Sequence, residues 1–203
     1  MPETKGAWNW TLADFRSAIA AAQPTPGCGA AAAVTADIGL ALILKGLRIS
    51  EVHGTGAERQ HLVRSAETLL GRPGAFADDD MQAFDDYLSA ARRGQPESRQ
   101  AASRQVCAVP LATAHCCLQA LGFAVSAWPL VLPMLRSDVQ AGAMLVHAGL
   151  SAALINVDAD LPMVEDVAER DLVAQARQRL QEQADERLRR LLDLVQDAAA
   201  HVD

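Results

Sequence analysis

Residues 24–34 read Pro24-Thr25-Pro26-Gly27-Cys28-Gly29-Ala30-Ala31-Ala32-Ala33-Val34, and the reading of this stretch decides the fold. Gly27 to Ala32 satisfies the spelling G-x-G-x-x-A, which in a dinucleotide-binding protein follows a strand and opens a helix. Here Thr11-Leu12-Ala13-Asp14 precedes it as a helix start, with Thr11 as N-cap and Asp14 near the positive helix end. Phe15, Ile19 and Ala22 recur at helical spacing until Pro24 and Pro26 stop the helix. With no strand in front, the dinucleotide reading fails. No Gly-Lys-Ser/Thr follows, so a P-loop fails as well. What remains is a Pro/Gly turn that delivers a helix N-terminus, whose first N–H groups attract an anion or a carbonyl oxygen. A plain helix entry between packed helices is the other reading.

Outward from this turn the pattern stays helical. A helix is expected from about 29 to 52, burying Leu40, Ile43, Leu44 and Leu47, and another over 57–70, closed by Gly71-Arg72-Pro73-Gly74. Asp78 to Asp80 read as the acidic first turn of a fourth helix that ends at Gly94. Pro96 opens a fifth, which Pro110 is expected to kink or divide. Pro129 and Pro133 bracket an irregular segment, and Ser137-Asp138 caps an apolar helix reaching Asn156. Val173, Ala176, Leu180, Ala184, Leu188, Leu191 and Val195 mark the longest helix, about 164 to 200. No run alternates with period two and no long repeat recurs. The expectation is an all-α protein: one antiparallel helical bundle over residues 1–203.

Composition agrees. Of 203 residues, 50% are hydrophobic but only 4% aromatic, and small side chains let helices approach closely. A formal charge of −7 argues against general affinity for nucleic acid or anionic membrane. Cys28, Cys107, Cys116 and Cys117 form no C-x-x-C pair and read as reduced thiols of a cytoplasmic protein. Met1 to Trp10 lacks the apolar core of a signal peptide. Asp37 and His147 interrupt the longest apolar runs, so no membrane association is expected.

The turn also resembles the Pro-Thr-Pro-Gly-Gly-Gly loop of the formiminotetrahydrofolate cyclodeaminase / methenyltetrahydrofolate cyclohydrolase family. Asp79-Asp80-Met81-Gln82-Ala83-Phe84 is similar to that family's Asp-x-x-Ala-Phe segment, and Val109-Pro110-Leu111 to its Val-Pro-Leu. Ser137-Asp138 and Ala153-Leu154-Ile155-Asn156-Val157 resemble its Ser-Asp and Ala-Leu-Asn-Val stretches. Order and spacing agree from about residue 11 to 170. The resemblance implies a homodimer that works on one-carbon units carried between N5 and N10 of tetrahydrofolate, with no metal or redox cofactor. Three positions depart from the pattern: Cys28 stands for the loop's central glycine, Asp160 for a second Asn, and Ile49 to Gly54 for a Lys-rich segment.

Opening or closing that five-membered ring requires a carboxylate or His beside the reacting carbon. The resemblance makes Asp80 the acid/base; the competing reading is a helix cap beside Asp78 and Asp79. Pro26, Gly27, Cys28 and Gly29 form the ligand-facing turn. Asp138 contacts substrate or caps its helix. Asn156 and Asp160 lie one helical turn apart and either bind a pterin-type ring or bridge helices. Cys28 sits at a helix N-terminus, where a thiolate is stabilised. His115, Cys116 and Cys117 point about 100° apart on a helix and do not converge on one ion. The alternative function is a non-catalytic helical dimer that binds a folate-like or other anionic metabolite.

Overall fold

The computed structural model describes residues 6–94 and 96–200. Among them every regular element is helical: α1 (Leu12–Ile19), α2 (Cys28–Val52), α3 (Ala57–Leu69), α4 (Arg72–Arg93), α5 (Pro96–Ala127), α6 (Arg136–Asp160) and α7 (Val167–Ala200). Short 3₁₀ turns at Ala7–Asn9, Trp128–Leu130, Pro133–Leu135 and Leu161–Met163 join or precede them.

The centre of the molecule is the α2–α6 pair. Leu40, Ile43, Leu44 and Leu47 of α2 are all at most 1% exposed and meet Val139, Val146, Leu150 and Leu154 of α6 in one core. The two helices approach backbone to backbone. A Cβ on Gly39 would lie 2.6 Å from the Gly142 carbonyl oxygen, and one on Gly149 2.8 Å from that of Ala32. Positions 32 and 39 thus face 149 and 142, so the pair runs antiparallel.

α7 is also antiparallel to α6: His147 pairs with Asp185, and Asp158 with Arg177. Against α5, however, α7 runs parallel, with Arg104 facing Glu169 and the Leu118 carbonyl facing Arg187. The expected antiparallel arrangement therefore holds for α2–α6 and α6–α7 but not for this pair.

Four boundaries differ from expectation. α1 stops at Ile19 with no fully buried residue, though Phe15 packs against a small core cluster, so Ala22 lies beyond it. α4 starts at Arg72, not at the aspartates. Gly71 turns the chain with φ +86°, Asp37 of α2 accepts its N–H at 2.9 Å, and Pro73 sits in the first turn, where a missing N–H costs nothing. α5 runs undivided through Pro110. α6 continues past Asn156 to Asp160, and its N-cap is Leu135, so Ser137 and Asp138 lie inside its first turn.

Three helical segments, Cys28–Val52, Pro96–Leu130 and Pro133–Met163, are long and apolar enough by length and composition to cross a membrane. The single Asp and His did not disqualify them, contrary to expectation. In this fold the apolar surface of all three goes substantially into packing against one another.

Candidate active site

The Pro/Gly turn ends at Gly27, whose backbone is extended (φ −111°, ψ −155°), and α2 begins at Cys28 with no side-chain cap. Its unpartnered N–H groups do attract an anion, and that anion is the protein's own Asp80. The Asp80 carboxylate reaches across from α4 to this helix end, where the Ala30 N–H favours its charged form. Gly29 is what admits it: a Cβ there would sit 2.0 Å from Asp80 Oδ1. Nothing comparable crowds Gly27, where only the Pro24 carbonyl comes within 3.6 Å of a built Cβ.

Asp80 lies eight residues beyond the start of α4, so the cap reading fails. Consecutive helical residues point about 100° apart, and the three aspartates separate accordingly. Asp78 accepts the N–H of Ala7 at 2.7 Å, Asp79 is exposed, and Asp80 turns inward.

A polar chain converges on it. Asn156 Nδ2 on α6 donates to Asp80 Oδ1 at 3.1 Å, and the Cys28 thiol donates to Asn156 Oδ1 at 2.7 Å. Asp160, one turn further along α6, is 5% exposed and faces the same pocket. The cavity holds about 240 Å³. The turn supplies Pro24, Thr25, Gly27 and Cys28 to its wall, α4 supplies Asp80 and Phe84, α5 Val106, and α6 Asn156 and Asp160. No Lys, Arg or His is among them.

Burial without a cation shifts every acid here upward. Desolvation raises Asp80 to about 6 against the opposing pull of the Ala30 N–H. Asp160 also rises to about 6, through desolvation and then the charge of Asp80. The Cys28 thiol is raised by burial and by both carboxylates, which outweigh the N–H groups at the helix end. The expected thiolate stabilisation is therefore reversed: Cys28 is a neutral thiol that orients the Asn156 amide.

Not every expected residue reaches this pocket. Pro26 lines an adjoining cavity of about 450 Å³ with Trp10, Asp78, Met81, Gln82 and Asp85; Thr25 touches both. Asp138 lies elsewhere, in an ion pair with Lys45 at 2.8 Å. His147 pairs with Asp185 at 2.7 Å. Phe84 and Val106 were not foreseen as site residues. Phe84 stands four residues after Asp80, on the same helix face, so its spacing carried a signal. Val106 comes from another helix and carried none.

A larger cleft, about 660 Å³, lies between α3, α5 and α7 and includes His61, His115, Arg187 and Arg190. Among the described residues it holds no carboxylate and none of the convergent polar chain, so the smaller, more enclosed pocket is the better site for acid/base chemistry.

The helical architecture matches the crystal structure of formiminotetrahydrofolate cyclodeaminase from Thermotoga maritima, with a TM-score of 0.87, 20% identity, and coverage of 95% of this chain and 98% of that one. At that identity the likeness shows the fold alone, a single all-helical domain. A sequence model of the formiminotransferase-cyclodeaminase family matches residues 11–182, and the chain belongs to that family. Formimidoyltransferase-cyclodeaminase of Sus scrofa is 30% identical over 189 residues, 83% of this chain and 33% of the relative. The chain thus spans about a third of the length of that protein. Methenyltetrahydrofolate cyclohydrolase of Methylorubrum extorquens is 25% identical over 207 residues, covering 96% of this chain and 93% of the relative.

Proposed function

We propose that the protein is a folate-dependent one-carbon enzyme, opening or closing the ring between N5 and N10 as a methenyltetrahydrofolate cyclohydrolase or formiminotetrahydrofolate cyclodeaminase. The carrying observation is a pocket with two carboxylates, Asp80 and Asp160, and, among the described residues, no cationic side chain in its wall. The reacting carbon in either substrate is amidine-like, and positively charged as the methenyl bridge or the protonated formimino group. A desolvated carboxylate pair favours that cation over a neutral folate. Family membership supplies the substrate class, and the pocket supplies the reason the reacting end binds there.

In this reading Asp80 is the acid/base group. Desolvation places it near the pH at which a carboxyl both accepts and gives up a proton. Asn156 holds it in place, and Cys28 holds Asn156. A cavity of about 240 Å³ takes the one-carbon end, and the rest of the folate extends along the adjoining cavity past Thr25 and Pro26. This acid/base chemistry uses neither a metal nor a redox cofactor. We read the protein as a cytoplasmic homodimer with a small-molecule folate substrate and no nucleic acid or membrane partner.

The test pairs two assays on the purified chain: loss of methenyltetrahydrofolate absorbance, and ammonia release from formiminotetrahydrofolate. Acceleration of either supports the reading and names the activity. Saturable binding of both folates with no turnover would assign the non-catalytic alternative.

A further inference from the structure

The two carboxylates of the pocket are not equivalent in their hydrogen bonds. Asp80 accepts an N–H from Asn156 Nδ2 at 3.1 Å and lies at the N-terminus of α2, where the Ala30 N–H favours its ionised form. No hydrogen bond to the Asp160 carboxyl occurs among the described residues, and it opens on the cavity. N–H donors stabilise the ionised form of a carboxyl, and a neighbouring negative charge disfavours it. Two like charges in one desolvated pocket therefore resolve into one carboxylate and one acid.

We infer that Asp160 carries the shared proton and is a second catalytic group, the proton donor to the departing nitrogen, while Asp80 is the base.

The inference rests on the proposed folate reaction. The attacking group, water or N10–H, forms its bond to the one-carbon unit and gives its proton to the Asp80 carboxylate. The carbon–nitrogen bond then breaks, its electron pair goes to the departing nitrogen, and that nitrogen takes the Asp160 proton; where water is the attacking group, the hydroxyl left on the carbon gives its remaining proton to solvent as the formyl carbonyl forms, and where N10–H attacks, the positive charge stays on the methenyl bridge. The pair finishes with the proton on Asp80 and the charge on Asp160, and exchange with solvent at the pocket mouth resets it. No other oxidant, reductant or co-reactant is needed.

The surroundings leave these two groups to titrate against each other. From α2 the pocket sees the neutral Cys28 thiol; on α5, outside the pocket wall, burial and the charges of Asp160 and Glu169 push the Cys107 thiol to about 12. Three cations on flanking elements are engaged: Arg99 with Glu165, Arg104 with Glu169, Arg177 with Asp158. In the family pattern quoted above, the position of Asp160 is an Asn, which has no proton to give. The inferred donor is thus a property of this chain.

Two measurements test it. Carbon-13 NMR of the aspartate carboxyls in the unliganded protein should show a lower and an upper step. D160N should delete the upper step and leave the lower one. D80N should leave Asp160 titrating below the upper step of the parent. An Asp160 that titrates near 4, or that ignores D80N, overturns the pairing. In kinetics, kcat/KM should be bell-shaped in pH. D160N should lower it by roughly 10²-fold or more and abolish the high-pH limb while keeping the low-pH limb. Turnover by the parent with an unchanged D160N profile overturns the proton donor alone. No turnover by the parent overturns the folate reading and the donor with it.

Discussion

Gly29 and Gly27 stand two residues apart in one turn, yet only one of them is demanded by a close approach. A Cβ on Gly29 would meet the Asp80 carboxylate at 2.0 Å; one on Gly27 has only a carbonyl at 3.6 Å. Gly29→Ala should therefore displace Asp80 and cut turnover by roughly 10²-fold or more, with Gly27→Ala within a few-fold of the parent. Equal effects would show that Asp80 does not sit against α2 in the working enzyme. Asp80 itself yields a stability prediction of definite sign. Burial lifts its folded pKa to about 6, above the roughly 3.9 of a free carboxyl. The stability contributed by its protonated form is complete below pH about 4 and lost as pH rises through 6. At pH 7.5 Asp80→Asn should raise stability by about 1 to 2 kcal/mol, with a much smaller gain at pH 4.5. Thermal melts at the two pH values check this. A capping aspartate would instead cost about 1 kcal/mol when replaced.

At the scale of the element, the α2–α6 contact fixes the site, because α2 carries the turn and α6 carries Asn156 and Asp160. Gly39→Ala would drive a Cβ to within 2.6 Å of the Gly142 oxygen and 2.8 Å of the Val146 nitrogen, both backbone. It should destabilise by about 1 to 3 kcal/mol, whereas Gly54→Ala, which meets nothing within 4 Å, should not; denaturant midpoints separate them. The helices were legible because Leu40, Ile43, Leu44 and Leu47 keep helical spacing whatever their neighbours do. The start of α4 was misread because Asp78 to Asp80 imitate a first turn, while the true signals, Gly71 and Pro73, also look like the end of α3. The turn at Pro24 to Gly29 was legible as a helix N-terminus, but sequence spacing did not reveal that Asp80 fills it. That pairing joins positions about fifty residues apart and exists only after α4 has packed on α2. Asp138 was misplaced for a similar reason: one helical turn decides whether a side chain faces a pocket or a lysine.

At the scale of the whole molecule, apolar surface remains exposed after the core is complete. Ile38 of α2, Met144 and Ile155 of α6 and Leu172 of α7 are 41%, 49%, 60% and 63% exposed. Subunit association would cover such surface. Sedimentation at micromolar concentration should give twice the 21.6 kDa chain mass, and a single monomeric species would contradict the homodimer. The central claim is narrower: the carboxylate seated against Gly29 turns over a one-carbon folate. Its most direct test is the absorbance decay of methenyltetrahydrofolate, together with the ammonia assay, for the parent and Asp80→Asn side by side, with circular dichroism on both. The account predicts acceleration by the parent in at least one assay, and a fall of roughly 10²- to 10⁴-fold in a variant that stays folded. A folded Asp80→Asn as active as the parent, or no turnover by the parent in either assay, would contradict it.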